Sequence, residues 1–214
     1  MDKIDVNSVG KSFYRSWLFK DINLQFDLNP GDAYAILGNN GSGKSTFLLM
    51  LAGQVTPNIG RIDWRINGST ILDHRKHLSY ALSSPLMELP EELNLQEWFE
   101  FIQKVKPLLP SVSLEYIADI CKFTKKTLSK PLANYSSGMK QRVKLCGNLL
   151  SDTKVSFLDE PLSNLDNNGA QLYQNLVNEA LVRKTLFVAS NDPKEYNFVR
   201  NKFEIQDKQI IQLV

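Results

Sequence analysis

What this chain lacks narrows its function first. Its 214 residues include only two histidines, His74 and His77, and two cysteines, Cys121 and Cys146. The cysteines have no metal-ligand spacing and no histidine near them. That excludes a zinc-finger type of site and a disulfide scaffold, and two buried, reduced thiols are expected. Charge of one sign is also missing. The formal net charge is +2, so no broad basic field for nucleic acid is present and none is expected as a partner. There is no long hydrophobic run, and the apolar stretch at residues 47–52 falls far short of the ~20 residues a membrane helix needs. Residues 1–6 read as a strand and not as a signal peptide, so a cytosolic location is expected. Repeats, low-complexity tracts and linkers are absent. One large domain with a small lobe is expected, leaving no room for a C-terminal regulatory domain.

What is present is a hydrophobic content of 43%, enough for a sizeable core. Ile22, Leu24, Phe26 and Leu28 alternate with Asn23, Gln25 and Asp27, the pattern of a half-buried strand. Asn29, Pro30, Gly31 and Asp32 form a turn before an apolar strand at residues 33–37. Ile62, Trp64 and Ile66 alternate again before the hairpin signal Asn67-Gly68. From 86 to 130 the pattern is helical, broken by prolines at 90, 107, 110 and 131. Asn94 and Glu97 suit a capping box. Leu95, Trp98, Phe99 and Ile102 then share one face. It reads as the core of a helical lobe, with a groove for a partner helix as the other use. The last third alternates strand and helix. It has apolar strands at 155–158 and 186–189, a helical period through Leu172, Tyr173, Leu176, Val177, Ala180 and Leu181, and a closing hairpin turned at Asp207-Lys208.

The chemistry begins at residues 38–46: Gly38, Asn39, Asn40, Gly41, Ser42, Gly43, Lys44, Ser45 and Thr46. This is the G-x-x-x-x-G-K-[ST] phosphate loop, and it sits between an apolar strand and an apolar helix. Its glycines let backbone N–H groups close on phosphates. Lys44 reaches the outer phosphates of a nucleoside triphosphate, the Ser45 hydroxyl is a Mg²⁺ ligand, and the helix beginning near Lys44 adds its positive end. Downstream, the strand at 155–158 ends in Asp159 and Glu160. After a phosphate loop, Asp159 suits Mg²⁺ and Glu160 suits the base that orients and deprotonates the attacking water.

Tyr135, Ser136, Ser137, Gly138 and Met139, followed by Lys140, Gln141 and Arg142, resemble the L-S-G-G-Q signature of ATP-binding cassette (ABC) proteins. Ser136 lies 23 residues before Asp159, which is the family spacing. Residues 161–166 resemble the segment that follows the second motif, with Asp166 as its aspartate. The resemblance covers essentially the whole chain. It implies an α/β fold: a P-loop NTPase (RecA-like) core with an antiparallel β subdomain and an inserted α-helical subdomain. The expected division is 1–82 with 141–214 for the core and 83–140 for the lobe, all within one domain at 1–214. It also implies ATP and Mg²⁺ as ligands and a head-to-tail pairing with a second cassette. Ser136 and Gly138 of one cassette would then act on the γ-phosphate held by the other, whether the two cassettes are identical or different chains. Phe13 is the best match for the aromatic residue that stacks on adenine, with Tyr14 and Trp17 as alternates.

The departures from the family pattern matter as much. The switch histidine is replaced by Asn191, in Ser190-Asn191-Asp192. No histidine follows residue 77, so no shift of alignment restores it. The glutamine of the lobe junction has Ser83 in its place, and no glutamine lies between Gln54 and Gln96. Ser137 and Met139 replace a glycine and a glutamine of the signature. An asparagine amide donates a hydrogen bond but carries no charge and reaches less far than histidine. Losing one such donor costs about 3–4 kcal/mol, or roughly 10²–10³ in rate. The expectation is slow hydrolysis, with adequate substitution by Asn191 as the alternative.

The leading functional expectation is the ATPase subunit of a membrane transporter, peripheral at the inner face of the cell membrane. It would bind integral membrane subunits through its helical lobe, with Leu86, Met87, Leu89 and Leu93 as contact candidates. The short length resembles small bacterial exporter cassettes, and more weakly the ATP-binding subunit of the haem exporter of cytochrome c maturation. The alternatives are a soluble cassette ATPase of an assembly complex and a non-catalytic ATP-gated clamp.

Overall fold

Alternating strand patterns at both ends of the chain and a helical pattern in the middle produce two sheets and a lobe. The computed structural model describes residues 1–213. Strands β1 (Lys3–Phe13), β2 (Ser16–Asp27), β4 (Ile59–Ile66) and β5 (Ser69–Ile71) form an antiparallel sheet in the order β2-β1-β4-β5. The turn between β4 and β5 is made by Asn67 and Gly68, both at positive φ (52° and 75°), as an Asn-Gly hairpin requires.

The second sheet holds β3 (Ala33–Leu37), β6 (Tyr80–Ser83), β7 (Val155–Asp159), β8 (Thr185–Ala189), β9 (Asn201–Gln206) and β10 (Gln209–Leu213), in the order β10-β9-β3-β8-β7-β6. All pairs in it are parallel except β9 with β10. Strands β7 and β8 are buried throughout, because a parallel sheet is covered on both faces. One face packs on the antiparallel sheet and on α1 (Lys44–Leu51). Aromatic rings fill that layer. Phe26 lies 5.2 Å from both Phe187 and Phe203, and Tyr34 stacks on Phe187 at 4.9 Å. Trp64 is fully buried, and its indole donates to the Leu51 carbonyl at 2.9 Å, which meets the polar demand of a buried tryptophan.

The other face carries α5 (Ser137–Leu149) and α6 (Asn167–Leu181), and the lobe of α2 (Leu95–Val105), α3 (Leu114–Ile120) and α4 (Lys125–Leu128) packs beside them. The capping box forms at α2: Glu97 N donates to Asn94 Oδ1 at 3.0 Å, and Asn94 N donates to Glu97 Oε2 at 2.8 Å. Leu95 and Trp98 are buried, with Phe99 and Ile102 packed beside them, so the α2 face is mainly core. A Cβ on Gly147 would stand 3.0 Å from the Trp98 ring, so α2 and α5 are in close contact. Helix α5 runs unbroken through the expected lobe boundary at residues 140–141, since its second half is buried against the sheet. Cys121 and Cys146 are buried free thiols with Sγ atoms 3.5 Å apart. That contact and burial push the Cys146 pKa well up.

Candidate active site

The loop between β3 and α1 is shaped by glycine. Gly38, Gly41 and Gly43 have φ of 139°, 80° and 106°, values L side chains rarely adopt. A Cβ on Gly43 would meet Phe19 Cζ at 2.6 Å and Leu18 Cδ2 at 2.8 Å. Within the cradle, Lys44 is buried and its Nζ donates to the carbonyls of Gly38 (2.9 Å) and Asn39 (3.2 Å). Burial lowers its pKa, and the carboxylates of Glu160 and Asp159 pull the other way. Helix α1 starts with no side-chain cap and no acidic residue in its first turn, so its positive end faces the loop uncompensated. Ser42 Oγ is buried with no hydrogen-bond partner. An unpartnered hydroxyl, a buried ammonium and an open helix end in a glycine cradle fit a polyphosphate.

The pocket at this loop has a volume of ≈ 390 Å³, and its lining includes Phe13, Asn40, Lys44, Ser45, Thr46 and Glu160. Phe13 is half exposed at the end of β1, with Lys11 Nζ 5.1 Å from its ring centre. Its neighbour Tyr14 is fully exposed, and neither Tyr14 nor Trp17 lines the pocket.

Asp159 ends β7 beneath the loop. Its Oδ1 accepts from Ser45 Oγ at 2.9 Å and its Oδ2 from Ser84 Oγ at 3.1 Å. Burial raises its pKa while the two serine donors lower it. This all-oxygen set of one carboxylate and two hydroxyls fits Mg²⁺, which takes one or two carboxylates together with substrate phosphates. Glu160 follows, with φ at 45°, and its N–H donates to Ala189 O at 3.0 Å at the end of β8. The amide of Asn191 donates to Asn40 Oδ1 in the phosphate loop. Thus Asn191, Asn40, Lys44, Ser45, Asp159 and Glu160 come together at the carboxyl ends of β3, β7 and β8.

Three expected site residues lie elsewhere. Ser136 is the N-cap of α5, its Oγ accepting from Met139 N at 3.3 Å. Gly138 sits against the Asn164 carbonyl. Asp166 caps α6, accepting from Gly169 N at 2.8 Å and Arg142 Nη2 at 2.7 Å. None of the three lines the phosphate-loop pocket.

Ser83 requires a correction. It is buried with an unpartnered Oγ and faces a groove of ≈ 500 Å³ between lobe and core. It is Ser84 that touches Asp159. The register explains this: Ser83 pairs with Leu158, so the next residue comes level with Asp159. Only the β6–β7 pairing could have shown it. The same groove is lined by Met87, Leu89, Trp98, Phe101 and Val105, while Leu86 stands exposed nearby.

A family model described as ABC transporter matches residues 22–163. An uncharacterized ABC transporter ATP-binding protein, YxlF, from Bacillus subtilis (strain 168) is 33% identical over 168 residues, covering 78% of this chain and 55% of that protein. The cytochrome c biogenesis ATP-binding export protein CcmA of Xylella fastidiosa (strain 9a5c) is 32% identical over 157 residues, covering 72% of this chain and 68% of that protein. This chain thus spans about half the length of the Bacillus relative. Among solved structures, the ATP binding subunit of an ABC transporter superposes with a TM-score of 0.80 at 21% identity, over 99% of this chain and 89% of that one. A dimeric post-hydrolysis cassette bound to ADP and Pi superposes with a TM-score of 0.79 at 18% identity, over 99% of each chain. With the phosphate loop, the paired carboxylates and the two-sheet fold in their places, the chain belongs to the ABC transporter family.

Proposed function

We propose that this chain is the ATP-binding and ATP-hydrolysing subunit of a membrane transporter, of the small exporter type, working as a head-to-tail pair of cassettes. The observation that carries the reading is the direct bond from Ser45 of the phosphate loop to Asp159, with Glu160 lining the same pocket. Lys44 and the loop N–H groups hold the phosphates, and Phe13 offers its ring to adenine. Ser45 and Asp159 would hold Mg²⁺, which neutralises phosphate charge when bound. Glu160 takes the proton of a water whose oxygen bonds to the γ-phosphorus. The bond from that phosphorus to the bridging oxygen breaks, and ADP leaves. Asn191, anchored on Asn40, supplies an uncharged donor where the family pattern has histidine, so turnover is slow.

In the pairing, Ser136 and Gly138 at the start of α5, with Asp166, face the nucleotide of the second cassette. Among the described residues no helix is long and apolar enough to cross a membrane; in this reading integral membrane subunits supply the path and dock on the helical lobe. The groove lined by Met87 and Leu89, with Leu86 exposed beside it, is the surface offered to those subunits. The placement is peripheral, at the inner face of the membrane.

Lys44→Ala is expected to weaken ATP binding at least about 100-fold, and Glu160→Gln to keep binding while turnover falls roughly 10²-fold or more. Calorimetric titration and a phosphate-release assay measure the two. One observation favours a second reading, a non-catalytic clamp: the Asn191 amide is already engaged by Asn40. Undetectable turnover in both the wild type and Glu160→Gln, with ATP still joining two copies, selects the clamp.

A further inference from the structure

Two of the buried polar side chains outside the site just described act on one point of the chain. Gln141 on α5 is 5% exposed, and Glu195, in the short 3-10 turn after β8, is 4% exposed. Both end on the same peptide group. Gln141 Nε2 donates to the Pro161 carbonyl at 2.9 Å. The Leu162 N–H donates to Glu195 Oε1 at 2.7 Å. That carbonyl and that N–H belong to one rigid plane. Gripping both of its edges fixes the plane's rotation, and so the course of the chain immediately after Glu160.

Glu160 needs such support. A φ of 45° in a residue other than glycine is strained and persists only where the surroundings over-determine it. Its own N–H is tied to the end of β8 and its carbonyl accepts from Ser163 N at 3.1 Å, but neither bond holds the Pro161–Leu162 peptide. Each grip is itself braced. A Cβ on Gly138 would stand 2.8 Å from Asn164 O, so α5 lies directly against the loop that follows Glu160. On the other side, Tyr173 Oη donates to the Glu195 carbonyl at 2.7 Å. Burial raises the Glu195 pKa, and hydrogen bonds from the Ser190 hydroxyl and the Leu162 N–H draw it back. The two grips come from different parts of the fold. One is the helix that begins at Ser136; the other is the segment that carries Asn191.

We infer that Gln141 and Glu195 are positioning residues that aim the Glu160 carboxylate by holding the Pro161–Leu162 peptide from opposite sides. The base then follows any movement of α5 or of the segment after β8. This rests on the reading of Glu160 as the base of ATP hydrolysis.

Three variants separate positioning from bulk structure. Gln141→Glu keeps the shape but turns a donor into an acceptor facing a carbonyl oxygen. Glu195→Ala leaves the Leu162 N–H without a partner. Glu195→Gln retains an acceptor oxygen and serves as the conservative rescue. On the purified full chain, kcat and KM for ATP are measured together with the affinity for a fluorescent ATP analogue and the thermal unfolding midpoint. Gln141→Glu and Glu195→Ala are expected to lower kcat roughly 10- to 100-fold, the scale on which small misplacements of a reacting group act. KM and analogue affinity stay within about twofold, and Glu195→Gln recovers most of the rate lost in Glu195→Ala. Unchanged kcat in Gln141→Glu overturns the inference, as does a parallel loss of kcat and analogue affinity. A wild-type chain that binds the analogue but does not turn over ATP refutes the hydrolysis reading, and this inference with it. If Glu195→Ala does not fold, Gln141→Glu decides alone, with Glu195→Gln expected near wild type.

Discussion

The phosphate loop and the loop after Glu160 face the same chemistry but are built differently. Residues 38–43 are shaped by their own backbone: three glycines at positive φ, a lysine folded onto carbonyls five and six residues before it, and a helix that begins at once. Residues 161–166 make two turn bonds of their own, Ser163 N to Glu160 O and Leu165 N to Leu162 O, but are also gripped from outside, by Gln141, Glu195 and Arg142 reaching across the fold. A locally built loop keeps its form wherever a strand and helix present it. A loop held from outside takes its form from its neighbours, and changes when they move. The first suits binding. The second suits a response to a partner.

The sharpest way to break this comparison is at Gly43. Alanine there faces both a φ of 106° and contacts under 3 Å with Phe19 and Leu18. Strain and overpacking together are worth about 2–5 kcal/mol. Gly43→Ala is expected to reduce ATP affinity at least about 100-fold, or to lower the unfolding midpoint by several degrees, as read by calorimetric titration and thermal melts. Normal binding and stability would show that the loop is not shaped by its own backbone.

The same contrast explains what was legible before the fold was known. Lys44, Ser45, Asp159 and Glu160 could be read off short motifs because a strand–loop–helix unit or a strand end carries each one. The capping box at Asn94 and the hairpin at Asn67-Gly68 were legible for the same reason. Ser84 was not. It meets Asp159 through the pairing of β6 with β7, residues some 75 positions apart in the chain, and the neighbouring Ser83 looks identical in sequence. Gln141 and Glu195 were hidden too, since a polar residue inside a helix or turn gives no sign of what it reaches. The course of α5 across the expected lobe boundary depends on burial against the sheet, which no motif encodes.

A smaller effect sharpens the comparison at Asn191. It sits on the segment that Glu195 anchors, yet its amide ends on Asn40 of the self-built loop. It is therefore the one contact among these that joins the two constructions directly. Histidine there adds length and the capacity for charge. If the uncharged donor limits the rate, Asn191→His raises ATP turnover about tenfold, with binding unchanged. No rise in the phosphate-release assay would show that Asn191 performs the same task as the histidine it replaces.

The smallest effects come from two adjacent serines. Ser84 Oγ donates to a buried carboxylate, a charge-assisted bond of the stronger kind. Its loss is partly offset once Mg²⁺ and its waters reach Asp159. Ser84→Ala is expected to raise the Mg²⁺ concentration for half-maximal ATP binding about three- to tenfold, with binding in EDTA unchanged. Ser83 is the opposite case, a buried hydroxyl with no partner, so it carries a desolvation cost and makes no hydrogen bond. Ser83→Ala is expected to leave the Mg²⁺ dependence within about twofold of wild type and to raise the unfolding midpoint slightly, since an unsatisfied polar group is removed while the packing is kept. The pair isolates register from composition: same residue type, adjacent positions, similar burial. If Ser83→Ala shifts the Mg²⁺ dependence and Ser84→Ala does not, β6 is paired one residue out of the register described, and the lobe junction reads the metal through Ser83 after all.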